Sequence, residues 1–262
     1  MKIIDAHAHI FPERIARRAC GSISEFYGGV AMAHAGTAEA LLASGEKIGV
    51  EKYLVFSTAT KPDQVESINR FIFGECKKHP EFIGLGTMHP DYTAYRDELE
   101  RIRAEGIRGI KLHPDFQRFC IDDEKLFPVY GALTEMGMFV LTHSGDNRYD
   151  FSHPARIARV AKAFPDLRII AAHFGGWQQW DAAVEHLNLP NVYYDTSSTL
   201  PFSGEEAAKR ALCTLDSSHF FFGTDFPMWD HEKELERLMS LGLSRQALED
   251  ILYNNFMAFM AQ

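Results

Sequence analysis

The sequence is short of several things, and each shortage closes off a class of function. Its four cysteines, Cys20, Cys76, Cys120 and Cys213, stand far apart with no CxxC pair. Neither a disulfide framework nor a cysteine zinc knuckle is expected, and free, mostly buried thiols of a reducing compartment are. No apolar run reaches the roughly 18 to 20 residues of a membrane span. The formal charge is -9, from 27 basic and 36 acidic residues, and no Lys/Arg cluster interrupts it. Nucleic acid is therefore not an expected partner. Asp5 and two histidines stand where a secretory signal would need an apolar core, so a cytoplasmic location is expected. No linker, repeat or low-complexity tract divides the 262 residues. Residues 1–262 read as one domain, close to the roughly 250 residues of a single α/β barrel.

What the chain does have is a regular alternation of short apolar runs and amphipathic segments. The candidate strands are Ile3–His7, Lys52–Ser57, Phe82–Thr87, Ile107–Leu112, Phe139–His143, Arg168–His173, Asn191–Asp195 and Phe220–Thr224. Helical patterns separate them, over Asp63–His79, Tyr92–Glu105, Asp123–Met136, Pro154–Phe164, Gln178–Leu187 and Gly204–Cys213. Strands separated by helices pair in parallel through right-handed crossovers. The expected fold is a closed (β/α)8 barrel of the TIM type, with a doubly wound open sheet as runner-up. Phe11–Gly49 is long for one connection and is expected to hold extra helix over the barrel mouth. Two closing helices are expected from His231, the second begun by Ser244.

The polar residues gather where the strands end. His7 and His9 close the first run, and residues i and i+2 of a strand share a face. His89 ends strand three, Lys111 and His113 strand four, His143 strand five, His173 strand six, Asp195 strand seven and Asp225 strand eight. In this fold the C-terminal strand ends form the active-site face. Taken together, His7, His9, His143 and Asp225 make three neutral imidazoles and a carboxylate, which hold a divalent ion and leave a position open for water. His173, from the adjacent strand, is placed to orient or deprotonate that water. Asp225 is placed to bind metal and to accept a proton.

The wording around these positions resembles the amidohydrolase superfamily, and most closely its amidohydrolase-related branch. The stretches concerned are Ile4-Asp5-Ala6-His7-Ala8-His9, Gly109-Ile110-Lys111-Leu112-His113-Pro114, Ala172-His173-Phe174-Gly175-Gly176 and Phe222-Gly223-Thr224-Asp225-Phe226-Pro227. The resemblance implies His7, His9, His143 and Asp225 as metal ligands and His173 as the catalytic histidine. It implies one divalent ion, zinc by preference, with manganese or iron as alternatives. Lys111 stands where binuclear members carry a bridging carboxylated lysine, so a second ion stays open. An unmodified Lys111 would pair with a substrate carboxylate or a developing oxyanion, or simply form a buried ion pair with Asp5 or Asp225.

The branch includes hydrolases, lactonases and nonoxidative decarboxylases. Expected substrate contacts are Lys111, His113, Arg118 and Arg148, set among mouth aromatics such as Phe11, Phe116, Phe119, Tyr149, Trp177, Phe202, Phe226 and Trp229. Such a mouth suits a small, flat, anionic molecule. Hydrolysis of a C–N or C–O bond is the expected reaction and decarboxylation of an unsaturated or aromatic acid the alternative. Chain length tilts that choice, since the decarboxylases it resembles tend to carry longer insertions. A small-molecule substrate is the only partner expected, with homo-oligomerisation left open.

Overall fold

Every neighbouring pair of strands in the computed structural model, which describes residues 1–262, runs parallel. β1 (Ile3–His9) is followed by two helices, α1 (Glu13–Phe26) and α2 (Ala38–Glu46), and then by β2 (Val50–Phe56). α3 (Val65–Lys78) leads to β3 (Phe82–Gly84) and β4 (Gly86–Thr87), one barrel strand interrupted at Leu85. The units continue through α4 (Tyr95–Ala104), β5 (Gly109–Leu112), α5 (Pro114–Gln117), α6 (Phe127–Glu135) and β6 (Phe139–Thr142). Next come α7 (Pro154–Ala163), β7 (Ile169–Ala171), α8 (Trp180–His186), β8 (Val192–Asp195), α9 (Leu200–Thr214) and β9 (Phe220–Phe221). α10 (His231–Ser240), α11 (Arg245–Glu249) and α12 (Asn255–Met260) complete the chain, with Ser244 capping α11 through the main-chain N–H of Ala247.

All eight candidate strands are present, the first two reaching two residues further at one end and the last five shortened by one to three residues. The chain after β9 runs beside β1. The main-chain N–H of Ala6 donates to Phe222 O at 2.8 Å, that of Asp225 to His7 O at 2.9 Å, and that of His9 to Phe226 O at 2.7 Å. The fold is the (β/α)8 barrel, and the open sheet is set aside. No helix is long and apolar enough to cross a membrane. The cysteines form no disulfide, but only Cys20 is buried, with Cys76 and Cys120 half-buried and Cys213 exposed, where mostly buried thiols were expected.

The period-two alternation of the strands sorts their side chains into two cores. One set, including Ile4, Ala6, Leu54, Phe56, Phe139, Leu141 and Ile170, fills the barrel interior with Phe256 and Phe259 closing its base. The other, including Ile3, Tyr53, Val55, Ile110, Val140 and Ile169, packs under the helices. β1 changes sides between these sets: Ile4 and Ala6 belong to the interior, yet Ala8 belongs to the helix-facing core. The cause is a register irregularity, with Asp5 opposite Tyr53 but Ala8 opposite Val55, so three steps on β1 match two on β2. This bulge turns His7 and His9 inward at the level where the barrel opens.

Candidate active site

The inward turn of β1 brings its histidines to the chain that follows β9. His7 Nε2 and His9 Nε2 each lie 3.4 Å from Asp225 Oδ1. Gly223 allows this approach, because a Cβ there would stand 2.9 Å from His7 Cβ and 3.3 Å from Asp195 Cβ. His7, His173 and Asp225 each offer a ligand atom, all within 4.8 Å of one another. His143 joins through His173, its Nδ1 lying 3.0 Å from His173 Nε2. The other nitrogen of His143, Nε2, is buried without a hydrogen-bond partner and faces Asp115 Oδ2 at 3.8 Å. His173 and Asp225 both hold left-handed backbone, at φ 61 and 57 degrees, a conformation uncommon for non-glycine residues that clusters at functional sites.

Burial makes these imidazoles lone-pair donors. It pushes His9 and His173 down to about 4, and His113 and His143 well below the ordinary histidine range. Asp225 is buried too, which opposes ionisation, but the adjacent His7 and His9 outweigh that and keep its carboxyl well below the usual range. A second carboxylate aims the ligands. Asp195, fully buried, accepts from His7 Nδ1 at 2.8 Å and from the main-chain N–H groups of His173 and Ser197 at 3.1 Å. His7 is thereby fixed with Nδ1 protonated and Nε2 free towards Asp225. Ser198 Oγ donates to Asp225 Oδ2 at 2.5 Å, holding that side chain in turn. A set of neutral imidazoles around an ionised carboxylate, with an orienting carboxylate behind it, fits a divalent transition-metal ion.

The four expected substrate contacts divide. Lys111 is fully buried in the cavity lining, with Nζ 3.4 Å from His7 Nε2 and 4.9 Å from the centre of the Phe56 ring. Burial lowers it to about 8, with Asp195 and Asp225 opposing. The alternative of a pair with Asp5 is not what the structure shows, because Asp5 accepts from Thr224 Oγ1 at 2.6 Å and lies 3.0 Å from His231 Nε2. His113 also lines the cavity, stacked on His143 at 4.1 Å, with Nε2 3.0 Å from the Tyr27 hydroxyl. Arg118 is exposed and does not line the cavity. Nor does Arg148, whose guanidinium is engaged by Asp146, with Nη2 to Oδ2 at 2.6 Å and Nε to Oδ1 at 2.9 Å. It also packs over Phe26, Tyr27 and Trp177 and donates to Phe26 O. It clamps the end of α1 across the mouth.

Nothing in the sequence singles out Tyr27, Asp115, Ser197 or Ser198, and Asp195 stands out there only as a strand end. The cavity enclosed by His7, His9, Lys111, His143, His173 and Asp225 is tight, at about 20 Å³. That is room for little more than one or two water-sized species.

Proteins of known structure share this architecture over their whole length. A TIM-barrel protein from Bordetella bronchiseptica superposes with TM-score 0.79 at 22% identity, covering 100% of this chain and 99% of that one. A dihydroxybenzoic acid decarboxylase from Polaromonas sp. JS666, solved with bound manganese and the inhibitor 2-nitroresorcinol, gives 0.77 at 14% identity over 99% and 97%. A candidate 2-pyrone-4,6-dicarboxylic acid hydrolase from Pseudomonas putida gives 0.69 at 19% over 99% and 97%. At these identities the likeness establishes the fold alone, but the amidohydrolase family model Amidohydro_2 matches residues 4–257. The chain belongs to the amidohydrolase family.

Proposed function

We propose that this protein is a metal-dependent hydrolase that cleaves a C–N or C–O bond in a small, carboxylate-bearing molecule. His7, His9, His143 and Asp225 would hold one divalent ion. Zinc suits the donors, and manganese is the ion bound in the Polaromonas relative. When bound, such an ion supplies Lewis acidity and lowers the pKa of a coordinated water. The observation that carries hydrolysis over decarboxylation is the supply of protons. At neutral pH His9 and His173, at about 4, and Asp225, well below its usual range, are all unprotonated. Of these, His173 is the one not assigned to the ion, and it is the base that takes a proton from water, beside Lys111 as the protonated group of the site.

His173 is the base assigned to that step. Its Nδ1 lies 3.0 Å from Ser197 O, which places the proton on Nδ1 and leaves Nε2 as the acceptor, 3.0 Å from His143 Nδ1. Asp225 takes the proton onward to the leaving group. Lys111 is the group at the site that carries a proton at neutral pH, and it would orient a substrate carboxylate. That same proton is what favours the second reading, nonoxidative decarboxylation, in which Lys111 would supply it to carbon.

Metal content and one variant test the assignment together. Purified protein should hold one divalent ion per chain. His173→Asn should keep that ion while turnover across a panel of amides, lactones and esters falls by roughly two to four orders of magnitude. Two ions per chain, or loss of the ion with His173, would make His173 a ligand and overturn its role as the base.

A further inference from the structure

The cavity at the metal-capable cluster is too small for an organic molecule, yet a much larger groove of about 830 Å³ lies beside it. That volume lies within the range of roughly 300 to 1,000 Å³ typical of small-molecule sites. His9, Ile23 and Phe116 line both spaces, so the groove adjoins the reaction centre. It runs between one face of α1 and the start of α3. Ile15, Ala19, Ile23 and Phe26, spaced at three to four residues, form one wall, and Ile68 and Phe71 form the other.

Its charge is distinctive. The chain as a whole carries -9, but no Asp or Glu lines the groove, while Arg14, Arg18 and Arg70 do. Arg70 is already paired with Glu66 at 2.9 Å. Arg14 and Arg18, one helical turn apart on α1, are exposed and tied to no carboxylate. On the floor, just beyond the end of β2, Thr58 Oγ1 is buried with no hydrogen-bond partner. An apolar trough with a free hydroxyl at its base and two unpaired guanidinium groups at its rim matches one kind of ligand.

We propose that this groove is the distal substrate subsite. It would take an apolar spacer that leaves the reaction centre past His9 and Phe116 and ends in a carboxylate held by Arg14 and Arg18. The proposal rests on the reading of the adjoining cluster as the reaction centre, and it assigns specificity to α1, away from Arg118 and Arg148.

The test is calorimetric binding of unbranched α,ω-dicarboxylates, from succinate to dodecanedioate, to the metal-loaded protein. Affinity should rise at least tenfold along the series. Dodecanoate, which has the same spacer and one carboxylate, should fall short of dodecanedioate by a similar factor. The double variant R14Q/R18Q should bring the long dicarboxylate back to the affinity of its short homologue. Ser22→Trp, which fills the trough from an exposed position without touching an arginine, should do the same. No gain with length, equal affinity for dodecanoate, or a gain that survives R14Q/R18Q would each overturn the subsite. Metal content measured on the same samples separates the two claims, because a chain that cannot hold an ion refutes the reaction centre whatever the length series shows.

Discussion

Acid should destabilise the metal-free protein well above the pH at which ordinary carboxylates titrate, and the buried histidines set how steeply. His9 and His173 are depressed to about 4, and His113 and His143 lie well below the ordinary histidine range, all because burial disfavours the charged ring. In the unfolded chain each returns to about 6.5. Between those values the unfolded chain binds four protons that the native protein refuses, so stability falls as pH falls. Two buried carboxyls work in the opposite sense. Burial raises Asp115 and Glu234 to about 7, so they keep protons in the native protein that the unfolded chain releases down to its own carboxylate range. The balance is about two protons taken up on unfolding, a slope of about 2.7 kcal/mol per pH unit. That slope is reached only near pH 5, where the unfolded histidines are fully protonated, so from pH 6.5 to 5 the loss is about 3 kcal/mol, against a typical total of about 5 to 15 kcal/mol. Urea unfolding of chelator-treated protein, followed by tryptophan fluorescence at fixed ionic strength, measures this directly. The midpoint should drop steadily over that interval at constant m-value. A midpoint that is flat or rises towards pH 5 would refute the claim that these histidines are buried and neutral.

Other expectations follow from single residues. Asp195→Asn leaves the shape of the site but removes the acceptor that fixes His7 Nδ1, and should weaken metal binding about 10- to 100-fold in a chelator competition. Gly223→Ala places a methyl 2.9 Å from His7 Cβ, where both backbones are pinned by the β1 pairing. It should cost about 1 to 3 kcal/mol in chemical denaturation and loosen the metal with it. Lys111→Met should weaken carboxylate-bearing inhibitors at least tenfold more than neutral ones of the same shape, read as inhibition constants. Equal losses on both would make Lys111 a structural residue.

Much of this architecture is legible in the sequence, because apolar runs and their spacing are what build a parallel barrel. All eight strands are readable from their own residues, as is the extra helix between β1 and β2. The strand-end rule then gathers His7, His9, His173, Asp225 and Lys111 at one level, where the structure also has them. What cannot be read is direction. The pattern Ile3-Ile4-Asp5-Ala6-His7-Ala8-His9 looks like an unbroken strand, and nothing in it announces the bulge that turns its histidines from the helix layer into the barrel. Loop membership puts Arg118 and Arg148 near the mouth, but it says where the backbone is and not where a guanidinium points. Arg148 instead finds Asp146 two residues away, a local partner that the spacing does suggest. Tyr27 meets His113 across 86 residues of sequence, a contact that only the packing of α1 over the mouth creates.

The central claim is that this site uses its bases to add water to a substrate. Turnover of a panel of small amides, lactones and esters by the metal-loaded protein in 18O-labelled water tests it most directly, with the headspace monitored for carbon dioxide. One labelled oxygen per molecule of acid product and no gas are expected. Carbon dioxide released from an aromatic or unsaturated acid, with no labelled product anywhere in the panel, would contradict it.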